Sequence, residues 1–550
     1  MRQVGIGCLV FGAAVAFAAP QAGQEVRRKG RFEGYTERAS RGPKMKPVAA
    51  TYLGGPSDEE FFAVRVLGDG TIVAFGNAWG PSFPVPAVVW GRGEHRGLKA
   101  FGTDSRGRPF LRPENPDIAG MVALYAPDAS HLRKVFRFDW GVASLSAATV
   151  SSDGRAFLLA GRATAAFRAV PPTVRTVPPA SEPPGKNASR TTGPYEYEGV
   201  SCPGDVFICR MSLEGKAEWA WVFEGAGRPP EEIWTDREGF VYADVRGLIQ
   251  VAPGGSSWKR LSEMAGGGQA RWLAVDPDDG SAYFGGDRNT HTGKEPWRQP
   301  YLYKFDREGR RVWKLWEWAP RSLRDGVTPG LQGLVADSSV RALDRGPDGD
   351  LYVGGWSDGG NSVFARQPTD AARGVPPAPW SMDGSGMKGA NSLAHIVRID
   401  GSSLEAKSHV LWVAYFPADF SDARKAGSPN GARIRQIQVC PDGAVAVAGS
   451  AASVLVQTPG AFYRYPGGGR GYGGECVVVY DAGFENLLFS SYLPGYENAR
   501  LWPTGRGIVV VGRTKGRDDE PEATPTPVLN AIQKEPGGGR DAHLLLLEKP

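Results

Sequence analysis

The chain has 550 residues, of which 75 are glycine and 44 are proline. This length exceeds what one ordinary globular core holds, so the chain forms either several domains or one repeat architecture. Its 64 basic residues nearly balance its 59 acidic residues, and a balance this even argues against a nucleic-acid-binding surface.

The first 18 residues have the pattern of a secretory signal peptide. Arg2 is followed by an apolar stretch that is too short to span a membrane, and Ala16-Phe17-Ala18 matches a cleavage site. No later segment has the length and hydropathy of a transmembrane helix. We therefore expect an exported protein, located in the periplasm, on the cell surface or outside the cell, with no transmembrane segment.

Residues 19–47 form a basic segment between this leader and the repeats. Between residues 27 and 46, eight basic side chains face only Glu33 and Glu37; they are Arg27, Arg28, Lys29, Arg31, Arg38, Arg41, Lys44 and Lys46. Such a segment is either a solvated, flexible arm or an element that docks on an anionic envelope surface. We expect a flexible arm, followed by one domain over residues 48–550.

A repeated phrase then runs along the chain: a short apolar strand, a tight turn, a second apolar strand and usually a glycine. Its turns are Asp69-Gly70, Asp153-Gly154, Asp279-Gly280, Asp348-Gly349 and Asp442-Gly443, with weaker copies at Glu238-Gly239 and Arg506-Gly507. Asp-Gly favours a hairpin turn, and the flanking residues favour strands. Two further strands follow each phrase, so the sequence predicts an all-β fold, a single β-propeller of about seven four-stranded blades.

The two ends of the repeat region predict how the ring closes. The last repeat stops after its third strand, at His543 to Leu547, while an unaccompanied strand, Ala49 to Gly55, precedes the first repeat. We expect this N-terminal strand to complete the last blade, because that arrangement removes an exposed strand edge.

Three segments resemble the bacterial SBBP-type β-propeller repeat. They are Thr51-Tyr52-Leu53-Gly54-Gly55, Thr458-Pro459-Gly460-Ala461-Phe462 and Thr526-Pro527-Val528-Leu529-Asn530-Ala531-Ile532-Gln533, with a weaker match at Phe83-Pro84-Val85-Pro86-Ala87. The resemblance implies a propeller in an exported, often surface-associated setting of the bacterial cell envelope. That family has no common catalytic residues, so the resemblance assigns none here.

Strand alternation predicts one face of the propeller with short turns and one with long loops. The long loops join second to third strands, at 77–120, 162–204, 287–299, 356–393, 450–474 and 513–540. Binding residues concentrate on long loops held by a rigid scaffold. The candidate ligand-binding residues that leave second strands on this face are Asn77, Trp79, Asp287, Trp356 and Asp358. They suit a glycan, or else the tryptophans pack under their own loops.

A second candidate cluster consists of four arginines near the starts of inner strands in successive repeats: Arg271, Arg341, Arg435 and Arg500. They ring one mouth of the central channel and attract an anion, or they form salt bridges between blades.

Catalytic and metal-binding motifs are weak. The six histidines lack metal-ligand spacing, and we interpret His395 and His543, which share a repeat position, as packing residues. Glu59, Glu60, Glu231 and Glu232 begin two inner strands as paired carboxylates, in positions that suit acid–base chemistry or simple solvation. Cys202, Cys209, Cys440 and Cys476 match no metal or haem motif. We predict no metal, no cofactor and no catalytic residue.

These observations leave three hypotheses for function. The first is a non-catalytic scaffold, expected to be monomeric, that binds an envelope or extracellular polysaccharide or protein on its loop-rich face. The second is a polysaccharide hydrolase or lyase, and the third is a structural component of the cell envelope. Propeller folds host all three, so the fold alone does not choose.

Overall fold

The computed structural model describes residues 34–549. It leaves out 56–57, 80–87, 91–97, 104–108, 114–117, 139–141, 164–173, 178–194, 198–199, 203–204, 227, 263–270, 290–297, 317–335, 359–361, 383–392, 402–409, 420–430, 453, 463–473, 515–525 and 538–539. The expected signal peptide therefore lies outside the described residues.

Seven four-stranded antiparallel sheets form the ring of a seven-bladed β-propeller, as predicted. The inner, second, third and outer strands of blade 1 are Glu59–Val66, Ile72–Trp79, Ile118–Tyr125 and Leu132–Phe138; those of blade 2 are Val142–Val150, Ala156–Ala163, Val206–Ser212 and Ala217–Phe223. Blade 3 contains Ile233–Thr235, Val241–Asp244, Leu248–Val251 and Trp258–Arg260, and blade 4 contains Arg271–Val275, Ala282–Asn289, Arg298–Phe305 and Arg311–Leu315.

The second half of the ring follows the same order of strands. Blade 5 contains Ser338–Arg345, Leu351–Ser357, Leu393–Ile399 and Val410–Tyr415, and blade 6 contains Ala432–Val439, Val445–Ala451, Glu475–Tyr480 and Leu487–Tyr492. Blade 7 contains Tyr496–Pro503, Gly507–Thr514, Ala542–Glu548 and, from the start of the chain, Lys46–Leu53.

Smaller elements decorate these blades. The pairs are Leu98–Thr103 with Pro109–Pro113, Tyr195–Tyr197 with Val200–Cys202, Arg366–Gln367 with Asp370–Gly374, and Ala418–Asp419 with Val454–Leu455. Two short 3₁₀ helices span Pro253–Gly255 and Val363–Ala365, and residues 34–39 are α-helical.

The N-terminal strand closes the ring, as the sequence predicts. Lys46–Leu53 pairs antiparallel with Ala542–Glu548, and Tyr52 lies opposite His543. The core lies between neighbouring blades: Val509 and Val511 of blade 7, for example, pack in one cluster with Ile72 of blade 1. Closure thus joins the two ends of the chain in one sheet and buries the seam between the first and last blades.

In blades 1, 2 and 6 the glycine that ends the repeat phrase is required by a β-bulge in the inner strand. In blade 6 the register shifts between Ile434 and Gln436, which leaves Arg435 as the extra residue opposite Gly449. A Cβ on Gly449 would lie 2.0 Å from the carbonyl oxygen of Arg433. The same contact, also 2.0 Å, occurs between Gly161 and Ser144 in blade 2. The close approach of the bulged backbone therefore excludes any side chain here.

The long loops cover the outer edges of several blades. Val88–Trp90 and Val174–Val177 add parallel strands beside the outer strands of blades 1 and 2. In blade 5, Val413 donates its N–H to Pro376 O at 3.0 Å, and in blade 7 Ala50 donates to Leu529 O at 2.7 Å. These contacts pair backbone groups that an edge strand would otherwise expose. Edge protection is thus one use of the loops that the sequence assigned to ligand binding.

Residues 34–47 are folded, unlike the flexible arm expected for this stretch. Arg38 donates to the carbonyl oxygen of Pro379 at 2.9 Å, and Lys44 donates to that of Leu487 at 2.6 Å. Tyr35 packs on Trp380 with ring centroids 5.9 Å apart, and Ala39 is fully buried. The basic side chains bind backbone carbonyls of blades 5 and 6, so the charge that suggested a solvated arm is partly used for attachment. Residues 19–33 lie outside the described part of the chain.

Candidate functional site in the central channel

The inner strands run from the loop-rich face to the short-turn face and line the channel. When the inner strands are aligned by the residue pair that closes each hairpin, equivalent positions of the seven blades form two rings. The turn-side ring consists of Arg65, Thr149, Trp234, Ala274, Asp344, Gln438 and Trp502. The loop-side ring, two residues earlier in each strand, consists of Ala63, Ala147, Glu232, Trp272, Ala342, Gln436 and Arg500. Side chains two residues apart in a strand share one side, so each ring presents equivalent positions of all seven blades.

Arg65 and two tryptophans narrow the channel at the turn-side ring. The guanidinium carbon of Arg65 lies 3.9 Å from the ring centroid of Trp502 and 5.9 Å from that of Trp234. The two indole centroids are 6.3 Å apart, although they belong to blades 3 and 7. Arg65 is held by hydrogen bonds from Nε to Thr149 Oγ1 at 2.9 Å and from Nη1 to Val64 O at 2.8 Å. This arrangement is a cation–π stack that reaches across the channel.

A cavity lies at the loop-side ring, above this stack. It contains about 400 Å³ of empty space, including solvent at its opening, and its lining includes Glu232, Arg500, Gln436, Ala147 and Phe62. Ala63 and Ala147 leave space here because their side chains are small, whereas blades 3, 4, 6 and 7 have larger side chains at the same ring position. Phe62 enters the lining as the extra residue of the inner-strand bulge in blade 1.

Glu231 and Glu232 are the acidic residues in the lining of this cavity. One oxygen of Glu232, Oε2, accepts a hydrogen bond from Leu273 N of blade 4 at 2.9 Å. Burial raises the pKa of Glu232 to about 7, against the lowering effects of that hydrogen bond and of Arg500 and Arg65. The residue is half-buried, and the surrounding blades desolvate its carboxylate enough for this effect to dominate. Glu232 therefore takes up or releases a proton near neutral pH.

Arg500 and Arg65 supply positive charge to the same space. Burial lowers the pKa of each to about 10, so both stay charged at neutral pH. The buried Nη1 atom of Arg500 has no hydrogen-bond partner among the described residues. A buried donor of this kind costs free energy until an acceptor meets it. The cavity thus offers an anion one unsatisfied, charged donor.

Two further ring residues, Gln436 and Asp344, join neighbouring blades by hydrogen bonds. Gln436 Oε1 accepts from Leu501 N of blade 7 at 2.9 Å. Asp344 Oδ2 accepts from Val439 N of blade 6 at 2.6 Å, and burial raises the pKa of this carboxyl to about 7. The channel wall is therefore fixed by side-chain bonds between neighbouring blades.

The four arginines expected to form one ring occupy three different kinds of position. Arg341 and Arg435 are the extra residues of inner-strand bulges. Arg500 lies one residue closer to its hairpin turn than these two do, and Arg271 begins a regularly paired strand. The side chain of Arg271 lies outside the described residues. The position that closes the hairpin lies four residues after Arg271, Arg341 and Arg435 but three residues after Arg500.

Two of these arginines take part in ion pairs rather than facing an open site. Arg435 makes a bidentate pair with Glu475, with both N–O distances at 2.8 Å. Arg341 Nη2 lies 3.8 Å from Asp287 Oδ1, and burial lowers the pKa of the Arg341 guanidinium. Of the three arginines whose side chains are described, Arg500 alone lines the cavity.

The polar residues expected on the loop-rich face connect blades. Asn77 is buried; its amide donates to Glu60 Oε1 at 2.9 Å and Leu145 O at 3.0 Å, and accepts from Leu145 N at 2.8 Å. Asp287 is also buried and accepts from Ser339 Oγ of blade 5 at 2.6 Å. These side chains satisfy backbone and side-chain groups of the next blade.

The aromatic candidates on that face differ in exposure. Trp79 is half-buried at the end of its strand, and its backbone N–H donates to Asp58 O at 2.9 Å. Trp356 is 9% exposed, with the guanidinium groups of Arg298 and Arg341 within 6 Å of its ring centroid, at 5.7 and 5.6 Å. Asp358 is exposed, and its backbone N–H donates to Asp337 O at 2.8 Å. Trp79 belongs to blade 1, whereas Trp356 and Asp358 belong to blade 5.

His395 and His543 are packing residues. Both are fully buried opposite the last glycine of a repeat phrase, and burial lowers the pKa of each to about 3. His395 bonds Ser357 Oγ at 2.6 Å, and His543 bonds Pro527 O at 3.1 Å. Cys209, Cys440 and Cys476 are buried free thiols. Within the described part of the chain, no group of three or more His, Cys, Asp or Glu side chains could hold a metal ion.

Sequence reasoning missed most of the cavity. Glu232 and Arg500 were candidates, but Arg65, Trp234 and Trp502 were not. The sequence contained a signal for these three residues. Each lies one residue before the position that closes its hairpin, and every blade has an equivalent position. Comparing the residues at this position across the repeats would have placed the three in one ring.

No known family model matches the chain, and no curated protein sequence matches it. The SBBP resemblance therefore stays a prediction. Solved structures that are similar in fold include the following two. One is a polysaccharide lyase, the PL25 ulvan lyase bound to -[GlcA(1-4)Rha3S]-, at 8% identity and TM-score 0.38, over 86% of this chain and 92% of that one. The other is the Dos1 propeller, at 8% identity and TM-score 0.38, over 92% of this chain and 95% of that one. Similarity at this level concerns the fold alone.

The described residues contain no helix with the length and hydropathy needed to cross a membrane.

Proposed function

We propose that the protein is an exported binding scaffold whose ligand is acidic and enters the central channel from the loop-rich face. The observation that carries this proposal is the buried, unpartnered Nη1 of Arg500 in the wall of the cavity. Arg65 adds a second charge at the cavity floor. An arginine held by the scaffold pays little entropy to order itself on binding, which favours recognition of carboxylates and related anions.

The binding test compares acidic and neutral ligands on the purified protein. Polygalacturonate and polyglutamate are the acidic probes and dextran is the neutral one. Arg500→Gln is the informative variant, because Gln436 shows that the ring accepts glutamine. Arg398→Gln is the matched control, since Arg398 pairs with Asp348 and Asp350 outside the cavity.

We expect at least one acidic polymer to bind, dextran not to bind, and Arg500→Gln to weaken binding at least tenfold while Arg398→Gln leaves it unchanged. The acidic polymer that binds identifies the ligand as a polysaccharide or a protein. Equal binding of the neutral polymer, or equal loss in both variants, contradicts the proposal.

A second candidate function is acid–base catalysis on an acidic polysaccharide. Glu232, with its pKa raised to about 7, suits proton transfer near neutral pH, and Arg500 is close enough to interact with it electrostatically. Turnover of polygalacturonate that Glu232→Gln abolishes would establish this function in place of simple binding.

A further inference from the structure

The cavity in the central channel combines a protonatable carboxyl with an arginine that lacks a hydrogen-bond partner. Glu232 interacts with Arg500 of blade 7, Arg65 of blade 1 and Trp234 of its own blade, and among the described residues of blade 4 it accepts from Leu273 N. On its own strand, the neighbouring Glu231 pairs with Arg228. Glu232 is thus the carboxylate that interacts with both arginines of the cavity, while Asp344 of blade 5 also interacts with Arg65.

The other charges near Arg500 are already paired. Arg435 and Glu475 form a bidentate pair, and Glu475 also accepts from Ala499 N at 3.3 Å. Glu60 bonds the Asn77 amide and lies 3.6 Å from Arg513. An entering anion therefore competes with Glu232 rather than with these groups.

We propose that the cavity binds a single carboxylate group in place of the charge on Glu232, so that binding takes up one proton from solvent. This inference rests on the proposed binding function and specifies its ligand chemistry and its regulation by pH. The ligand carboxylate accepts from Arg500, while Glu232 becomes neutral and keeps its bond from Leu273 N through an unprotonated oxygen. The proton comes from water, and no covalent bond changes.

Two features make this exchange favourable. Two carboxylates sharing one desolvated site repel each other, which favours protonation of one of them. Burial already raises the pKa of Glu232 to about 7, so protonation is inexpensive near neutral pH. Arg65 and Arg500 keep their charge throughout this range, because the pKa of each is about 10.

The experiment is isothermal titration of the full chain with acetate at pH 5.5 and 8.5, at constant ionic strength, in two buffers of different ionisation enthalpy. Acetate is mostly ionised at pH 5.5 and fully ionised at pH 8.5, so its own titration contributes little. We expect binding at least tenfold tighter at pH 5.5, with almost no proton uptake at pH 5.5 and uptake of about one proton at pH 8.5. Glucuronate and N-acetylglutamate then distinguish a sugar acid from an acidic peptide as the source of the carboxylate.

Two variants test the roles of the residues. Glu232→Gln should bind acetate at pH 8.5 as tightly as the unchanged protein does at pH 5.5, with no proton uptake. Arg500→Gln should lose binding at both values, and Arg398→Gln should behave like the unchanged protein. These variants retain hydrogen-bonding side chains, and their folding is checked by thermal unfolding.

The possible failures are distinguishable. Acetate binding that is independent of pH, or proton uptake that persists in Glu232→Gln, overturns the exchange and leaves the binding function standing. Failure of acetate to bind, while an acidic polymer binds through Arg500, overturns the single-carboxylate site alone. Failure of every acidic ligand overturns both proposals.

Discussion

Glu232 and Gln436 make the same bond from equivalent places in different blades. Glu232 Oε2 accepts from Leu273 N and Gln436 Oε1 accepts from Leu501 N, both at 2.9 Å. Each acceptor belongs to the loop-side ring, and each donor lies on the inner strand of the next blade. The amide of Gln436 makes the bond that the carboxylate of Glu232 makes. The structural role of Glu232 therefore does not require its negative charge.

This equivalence predicts that Glu232→Gln preserves stability and Glu232→Ala does not. The glutamine keeps an acceptor for Leu273 N, whereas alanine leaves that N–H unsatisfied at a cost of about 1–3 kcal/mol. Urea unfolding at pH 8 measures the difference. If the two variants unfold alike, the inter-blade bond contributes nothing measurable.

Gly449→Ala should destabilise the protein by about 2 kcal/mol or more, because the new Cβ would lie 2.0 Å from Arg433 O and force the bulge apart. Gly505→Ala is the matched control in the neighbouring blade, since a Cβ there meets no atom within 4 Å. Thermal unfolding compares them. Equal stabilities would show that the bulge yields easily.

A variant that begins at Gly54 should lose cooperative unfolding and aggregate. It lacks the outer strand of blade 7 and so exposes the edge of Ala542–Glu548. A variant that begins at Lys46 keeps this strand and loses the packed helix together with the Lys44 and Met45 contacts to blade 6, so it should remain folded. Circular dichroism melts and light scattering report both properties. A folded, monomeric protein from Gly54 onward would refute the closing role of the strand.

Stability should fall as the pH rises from 6.5 to 9. Burial raises the pKa of Glu59 to about 9, and those of Glu232 and Asp344 to about 7. The folded protein therefore holds protons that the unfolded chain releases near pH 4, and raising the pH removes this stabilisation. His395 and His543, with pKa values lowered to about 3, act in the opposite direction only below about pH 6.5.

Glu59→Gln isolates one contribution to this pH dependence. Glu59 is 1% exposed, and a single linked group changes the free energy of unfolding by up to about 1.4 kcal/mol per pH unit. The variant should flatten the decline between pH 7 and 9 in urea unfolding experiments. An unchanged slope would assign the decline to other groups.

The repeated phrase was sufficient to predict the blades, their number and the closing strand. Asp-Gly turns and alternating apolar strands are local signals, and an unaccompanied strand at one end matches a missing strand at the other. The buried interpretation of His395 and His543 followed from the same register, because both pair with the last glycine of a phrase.

The site was only partly predictable because it depends on how the blades meet. From the sequence, the polar side chains of Asn77 and Asp287 suggest a binding surface. In the structure each of them forms a hydrogen bond with the next blade. Arg65 and Trp502 are far apart along the chain and stack only because blade 7 adjoins blade 1.

The sequence by itself determined the architecture, since hairpin turns and strand alternation act between residues close in the chain. Only the tertiary structure decided which charges are free, because the closed ring sets which side chains from different blades meet. It pairs Arg435 with Glu475 and leaves Arg500 beside Glu232 in the cavity. Desolvation by the surrounding blades then sets the protonation of these groups, and that effect has no signature in any single segment.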